Sequence, residues 1–187
     1  GNSVFANRLE QLFTESSEIT GDNVSADISG LIGQYAHGNE PSHHIAYMFN
    51  HAKQPWRTQY WARHILDTQY NTTPNGLSGN EDCGQMSAWY VLSSVGLYPM
   101  NPASGEYEIS SPVFEKTQMN LPNGKTFHIE AEKVSDKNRY IQSATLNGKV
   151  FNTTAIAHQD ILKGGSLHFI MGSEPNRQWG FSKNSQE

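Results

Sequence analysis

Apolar residues recur at helical spacing through the first hundred positions of the chain and at every second position after that. Val4, Leu9, Leu12 and Phe13 form one short helical stripe. The segment SHHIAYMFNHA, Ser42 to Ala52, predicts a second helix with Pro41 at its start. Pro55 opens a third, PWRTQYWARHILDTQY, in which Trp56 with Tyr60 and Trp61 with Ile65 lie four apart and share faces. A fourth runs from about Cys83 to Ser94 and stops at Gly96, with Pro99 close behind. Near Asn101 the period changes to two. Phe127, Ile129 and Ala131 alternate; so do Tyr140, Gln142, Ala144 and Leu146, and then Leu167, Phe169 and Met171. Asn123-Gly124 and Asn147-Gly148 read as hairpin turns, because both residue types tolerate positive φ. Helices first and strands afterwards predict an α+β fold. Residues 1–100 form a helical layer, and residues 101–187 form an antiparallel β-sandwich-like region.

Composition narrows the function. With 36% hydrophobic and 17% charged residues the chain of 187 residues is globular. No apolar run approaches the roughly 20 residues of a membrane-spanning helix. A net charge of −5 gives no basic face for nucleic acid. A single cysteine excludes an internal disulfide framework. No signal peptide opens the chain, and its start, GNSVFANRLEQLF, reads like the interior of a larger protein. Four Trp, eight Tyr, eight Phe and eight His accompany only 13 basic residues, which suits sugar binding as well as an ordinary aromatic core.

The candidate chemistry lies in two acidic loops. GLSGNEDCGQMSAWY, Gly76 to Tyr90, sets Glu81 beside Asp82 in front of a helix. Asp82 and Gln85 have the spacing of a capping box, so Asp82 reads as an N-cap. A carboxylate held ionised by a helix N-terminus is also what a general base requires, and the two readings are compatible. Only one of the two acids can cap, so Glu81 points elsewhere, as a solvated loop acid or as a site residue. In HGNEPSHH, His37 to His44, Glu40 precedes Pro41 and is expected to be extended, projecting from a loop before a helix as Asp82 does. Adjacent His43 and His44 point in different directions and match no zinc spacing. A hard cation such as calcium, held by Glu40 with amide and carbonyl oxygens, suits these residues better. Cys83 is expected to pack as a small apolar residue, and Trp56 and Trp89 to belong to the core. Three N-x-[ST] sequons, at Asn23, Asn71 and Asn152, decide nothing without a known compartment.

Four blocks carry a resemblance: GNEPSHHIAYMFNHAKQPWRTQYWAR, GLSGNEDCGQMSAWYVLSSVGLYPMNPASGEYEISSP, YIQSATLNGK and IMGSEPNRQWG. In order and across nearly the whole chain they resemble the glycoside hydrolase family 92 α-mannosidases. The resemblance implies a calcium-dependent, inverting exo-α-mannosidase that removes terminal α-linked mannose from glycans. It also implies an N-terminal β-sandwich joined to an (α/α)6 barrel. This chain would then be the C-terminal part of that helical barrel followed by the β region. Asp82 matches the family's general base. An inverting enzyme places a water between that base and the sugar, with the two catalytic carboxyls about 6.5–9.5 Å apart. Where some members carry a second Asp two residues before the base, this chain has Asn80, whose amide would orient the water. Glu40 matches the family's acid near calcium and bound sugar. Asn39 stands where members carry His or Asn, a choice that bears on the linkage cut.

The family's general acid is a Glu in a block resembling EGNAWQY, and no such block occurs here. The resemblance therefore predicts a fragment, inactive alone, whose partner is the missing N-terminal part of the same enzyme. The parent would be periplasmic or secreted. An incomplete barrel should also leave an uncovered apolar face on the N-terminal helices. The alternative is a non-catalytic carbohydrate-binding module with its sugar platforms at Tyr107, Phe114 or Trp179.

Overall fold

The computed structural model describes residues 1–25 and 28–181. The last six residues of the expected β region lie outside the described residues. Helix α1 (Asn2–Thr14) leads to a small hairpin, β1 (Leu31–Ile32) and β2 (Tyr35–Ala36). Two 3-10 turns, Glu40–Ser42 and Ile45–Tyr47, run into the single α-turn α2 (Met48–His51). Helices α3 (Pro55–Gln69) and α4 (Gln85–Ser94) complete this part. The second expected helix is thus a chain of tight turns. Glu40 opens the first of them, and the extended residue is Asn39 (φ −118°, ψ 123°), one position earlier than expected. Pro41 is compatible with this geometry because a 3-10 turn asks for no amide donor at its first positions.

On α1 the buried stripe is Ala6, Leu9 and Phe13; Val4 is 72% exposed and lies off it. Phe13 stacks on both Tyr35 and Trp61, with ring centroids 4.7 and 4.4 Å apart. These rings, with Tyr47, Phe49, Ile65 and Trp89, form one core. Among the described residues no helix is long and apolar enough to cross a membrane.

The remaining elements are β3 (Leu97–Tyr98), β4 (Glu106–Ile109), β5 (Lys116–Asn120), β6 (Thr126–Glu132), β7 (Tyr140–Leu146), β8 (Lys149–Val150), β9 (Ala155–Ala157), α5 (His158–Leu162) and β10 (Gly165–Gly172). They build a three-stranded sheet, β3-β4-β9, and a five-stranded sheet, β5-β6-β10-β7-β8. The expected turns are present. Asn147 (φ 51°) and Gly148 (φ 76°) join β7 to β8, whose register pairs Leu146 with Lys149. Two corrections apply. The large sheet is mixed, since β10 lies parallel to β6 at its centre; β6 and β10 are joined through β7, β8, β9 and α5, a connection long enough for a parallel pair. The inward face of β7 is Ile141 and Ala144, not Tyr140 and Gln142. A register shift between Ile170 and Met171 marks a bulge against β10 there, and one extra residue inverts the period-two phase. Phe127, Ile129, Leu167 and Phe169 fill the second core as expected. Buried polar side chains join the two parts: Gln59 on α3 accepts from the Ile141 amide (2.9 Å), and Asn50 on α2 donates to Glu108 on β4 (2.7 Å).

Candidate active site

The loop carrying Glu40 grows out of the β1–β2 hairpin. The amides of His37 and Gly38 donate to the carbonyls of Gly30 and Ser29, which extends the hairpin to the edge of the acidic segment. His37 is fully buried. Its Nδ1 lies 2.8 Å from the Tyr35 hydroxyl and its Nε2 2.7 Å from the Tyr70 hydroxyl. Tyr70 donates its own proton to the Met86 carbonyl (3.0 Å), so it accepts from His37 Nε2–H, and Tyr35 donates to Nδ1. Burial, with His43 nearby, lowers the His37 pKa to about 3, and the ring is neutral.

His43 is locked in the same way. Its Nε2–H donates to the His37 carbonyl (3.0 Å), and its Nδ1 accepts from the Gln85 amide (3.1 Å). Trp89 Nε1 donates to the His43 carbonyl (3.0 Å). Burial holds the His43 pKa below its ordinary value, against the opposing pull of its bond to the His37 carbonyl and of Glu40. The Glu40 loop is therefore stitched to the first two turns of α4 at Gln85, Met86 and Trp89. His44, its neighbour, faces outward. Both ring nitrogens of His43 are thus engaged, whereas His44 lines the cavity described below.

The second acidic loop meets the first directly. A Cβ on Gly79 would lie 2.5 Å from both the Cα and the carbonyl oxygen of Gly38, so the two backbones pass in contact. Glu40 follows that crossing by two residues and Asp82 by three. Sequence placed both acids before helices; the crossing brings their loops together.

Beyond the crossing the details differ from expectation. The N-cap of α4 is Gly84, without a side-chain cap bond, and Asp82 caps nothing. Asp82 (φ 37°), Cys83 (φ 57°) and Gly84 (φ 85°) are three consecutive left-handed residues. Cys83 is exposed, not packed. Asp82 and Asn80 are also exposed, and neither side chain makes a hydrogen bond or ion pair among the described residues. Glu81 takes the capping role: Oε1 accepts from the Ser87 amide (2.9 Å) and Oε2 from the Ser87 hydroxyl (2.6 Å). These donors, the hydroxyl foremost, lower the Glu81 pKa from its ordinary value.

A cavity of about 270 Å³ opens beside these loops, lined by Glu40, His44, Gln85, Trp89, Tyr98 and Met100. Glu40 Oε1 and Asn39 Oδ1 are buried without a hydrogen-bond partner. Hard oxygens left unsatisfied on two consecutive residues are the feature a cation or a polyhydroxyl ligand would meet. Among the described residues no three His, Cys, Asp or Glu side chains converge as a metal cluster, so those oxygens would be only part of a calcium shell. From sequence Gln85 was read only as a capping-box partner and His43 only against zinc, and Tyr98 and His37 were given no role in the site. The signal available was a pair of histidines six apart that bracket the acid.

A wider groove of about 480 Å³ lies along Leu66, Tyr70, Leu77, Tyr90 and Val91, away from Glu40. Of the aromatics proposed as sugar platforms on the β region, Trp179 is 4% exposed and belongs to the second core, and Tyr107 is held by His158 (3.2 Å). Phe114 is 48% exposed. Trp89 is fully buried as expected; Trp56 is half-buried beneath Arg177, whose guanidinium lies 5.5 Å from the ring centroid.

Residues 1–173 match the model of the glycosyl hydrolase family 92 catalytic domain. The chain belongs to glycosyl hydrolase family 92. It superposes on a family 92 α-mannosidase from Bacteroides thetaiotaomicron, solved in complex with mannoimidazole, with a TM-score of 0.90 and 44% identity over 97% of this chain. A family 92 inverting mannosidase from the same organism gives a TM-score of 0.82 at 36% identity, again over 97% of this chain. A protein of Arthroderma benhamiae described as an uncharacterized secreted glycosidase is 35% identical over 150 residues, 79% of this chain. The chain spans 24% and 26% of those two solved structures and 19% of the fungal relative. It therefore corresponds to a portion of the family 92 catalytic domain, with a mixed α+β fold.

Proposed function

We propose that this family 92 segment is the C-terminal part of an inverting exo-α-mannosidase acting on terminal α-linked mannose of glycans. In this reading residues 1–100 belong to an (α/α)6 barrel, residues 101–187 form the C-terminal β region, and the rest of the enzyme is the obligatory partner. The parent is secreted or periplasmic, in keeping with the description of the fungal relative. The observation that supports the proposal is the backbone contact at Gly38 and Gly79, where the loop that carries Asp82 meets the loop that carries the unsatisfied Glu40 Oε1 and Asn39 Oδ1.

Asp82 is the general base. Its carboxylate is exposed to water and engaged by no protein donor, so a lone pair is available to take a proton from an attacking water. General base assistance of this kind is typically worth about 10²–10⁴-fold. Asn80, two residues earlier on the same rim, orients that water through its amide. Glu40 and Asn39 present oxygens that would hold calcium together with groups supplied from elsewhere in the enzyme. When bound, calcium supplies charge that grips sugar hydroxyls and favours the charge distribution of the transition state. Tyr98 and Trp89 form part of the wall of the adjoining cavity. The carbohydrate-binding-module alternative loses its strongest platform, since Trp179 is buried.

The test is stereochemical. A family-length enzyme carrying these residues, given an unactivated α-mannobioside, should release β-mannose first, as read by NMR before mutarotation. Chelation of calcium should suppress the reaction. Release of the α anomer first would refute the inverting assignment, and unchanged turnover in chelator would refute the role of Glu40 and Asn39.

A further inference from the structure

The geometry points to Glu81 as the positioning residue that aims Asp82, a role resting on the proposed assignment of Asp82 as the base. Three left-handed residues in a row form an unusual turn, and two of them, Asp82 and Cys83, are not glycine. Asp tolerates that region better than most residues, whereas Cys does not share the advantage. Such a conformation persists only where its surroundings over-determine it. Here both ends are tied to the first turn of α4, and Glu81 makes most of the ties. Its carbonyl accepts from the Met86 amide (3.4 Å) while its carboxylate takes the amide and the hydroxyl of Ser87 (2.9 and 2.6 Å). The Asp82 carbonyl accepts from the Gln85 amide (3.2 Å), closing the loop from the other side.

The Asp82 side chain has no tie of its own. Its direction follows from the backbone at 82–84, and that backbone is fixed by Glu81. The adjacency of the two acids is then functional: one is pinned so that the other is presented. Tight donation from Ser87 keeps the Glu81 carboxylate ionised and hence a competent acceptor. A cap that served folding alone would need neither the left-handed excursion nor a second acid beside it. Asp82 itself could have capped, as the sequence spacing suggested.

The experiment compares Glu81→Ala, Ser87→Ala, Ser87→Thr and Asp82→Asn in a family-length enzyme carrying these residues, with an activated aryl α-mannoside as substrate. Glu81→Ala should lower kcat about 100-fold, the loss expected for a misplacement of about 1 Å, while KM stays within about twofold. Ser87→Ala should lower kcat less, and Ser87→Thr, which keeps the hydroxyl and the amide, should restore it. In the Asp82→Asn background, Glu81→Ala should add no further loss to the residual turnover. Circular dichroism reports the folded fraction, and if Glu81→Ala does not fold, the Ser87 pair decides. Wild-type kcat in Glu81→Ala or Ser87→Ala, with Asp82→Asn inactive, overturns this inference and leaves the base assignment standing. A rise in KM with kcat unchanged also overturns it. Full turnover in Asp82→Asn removes both.

Discussion

Replacing Gly79 with alanine exchanges one hydrogen for a methyl group at the point where the two acidic loops cross. The new Cβ would sit 2.5 Å from the Gly38 Cα and carbonyl oxygen and 2.9 Å from its carbonyl carbon. Ordinary contact begins near 3.4 Å, so the loops must separate by about 1 Å, and both obstacles are backbone atoms that cannot rotate away. Gly79 is not among the glycines with positive φ, so backbone strain contributes nothing and the effect is steric. Overpacking of this size costs about 1–3 kcal/mol. For a unit of this length that is about 2–12 °C in Tm. The functional loss should be larger than the stability loss. Glu40 lies two residues beyond the crossing and Asp82 three, and a shift of about 1 Å can cost about 100-fold in rate. The assay is kcat/KM of the family-length enzyme on an α-mannoside, with Gly172→Ala as the control. The nearest atoms to a Cβ at Gly172, in β10, belong to the Gln142 side chain (2.9 Å), far along the chain from both acidic loops, so turnover should be unchanged. Turnover of Gly79→Ala within threefold of wild type would refute the claim that this crossing sets the site.

Acid should unfold the protein partly through His37. Its folded pKa of about 3 lies below the ordinary value of 6.5. The unfolded chain therefore binds a proton that the folded state refuses. The contribution to stability is complete above pH 6.5 and is lost as pH falls toward 3, at about 1.4 kcal/mol per pH unit within that window. Urea denaturation between pH 7 and pH 4 should show a shallower decline in His37→Gln than in wild type, and equal slopes would contradict the assignment. Cys83, exposed on the left-handed turn, should react with a thiol reagent in the native protein at about the rate of a free thiol. Reaction only in denaturant would place the turn elsewhere.

Local features of the fold could be read from the sequence because local interactions decide them. Gly96 (φ 86°) does end α4, with its amide on the Ser93 carbonyl, and Asn147-Gly148 does turn β7 into β8. What escaped depends on distant partners. The parallel pairing of β6 with β10 leaves no trace in either strand's alternation. The extra residue Gln142, skipped between the pairs Ile170–Ser143 and Met171–Ile141, puts the start of β7 out of phase, and it shows only in the pairing with β10. In the candidate site, the positions of Glu40 and Asp82 before helical turns were legible. Which of Glu81 and Asp82 caps α4 was not, because it turns on Ser87 reaching back across six residues to Glu81. The stitching of the two loops through His37 and His43 was equally hidden. A buried histidine between two tyrosine hydroxyls is made by residues 35, 37 and 70, and sequence spacing says nothing about that meeting. On α1, Val4 and Phe5 are exposed at 72% and 41%.

The most direct test of the base assignment is Asp82→Asn in a family-length enzyme carrying these residues. Asparagine tolerates a φ of 37° as well as aspartate does, and Asp82 caps no helix, so thermal stability should stay within about 1 kcal/mol of wild type. Because the amide cannot take a proton from water, kcat on an unactivated α-mannoside should fall by about 10²–10⁴-fold. A folded Asp82→Asn enzyme with near-normal kcat would contradict the account.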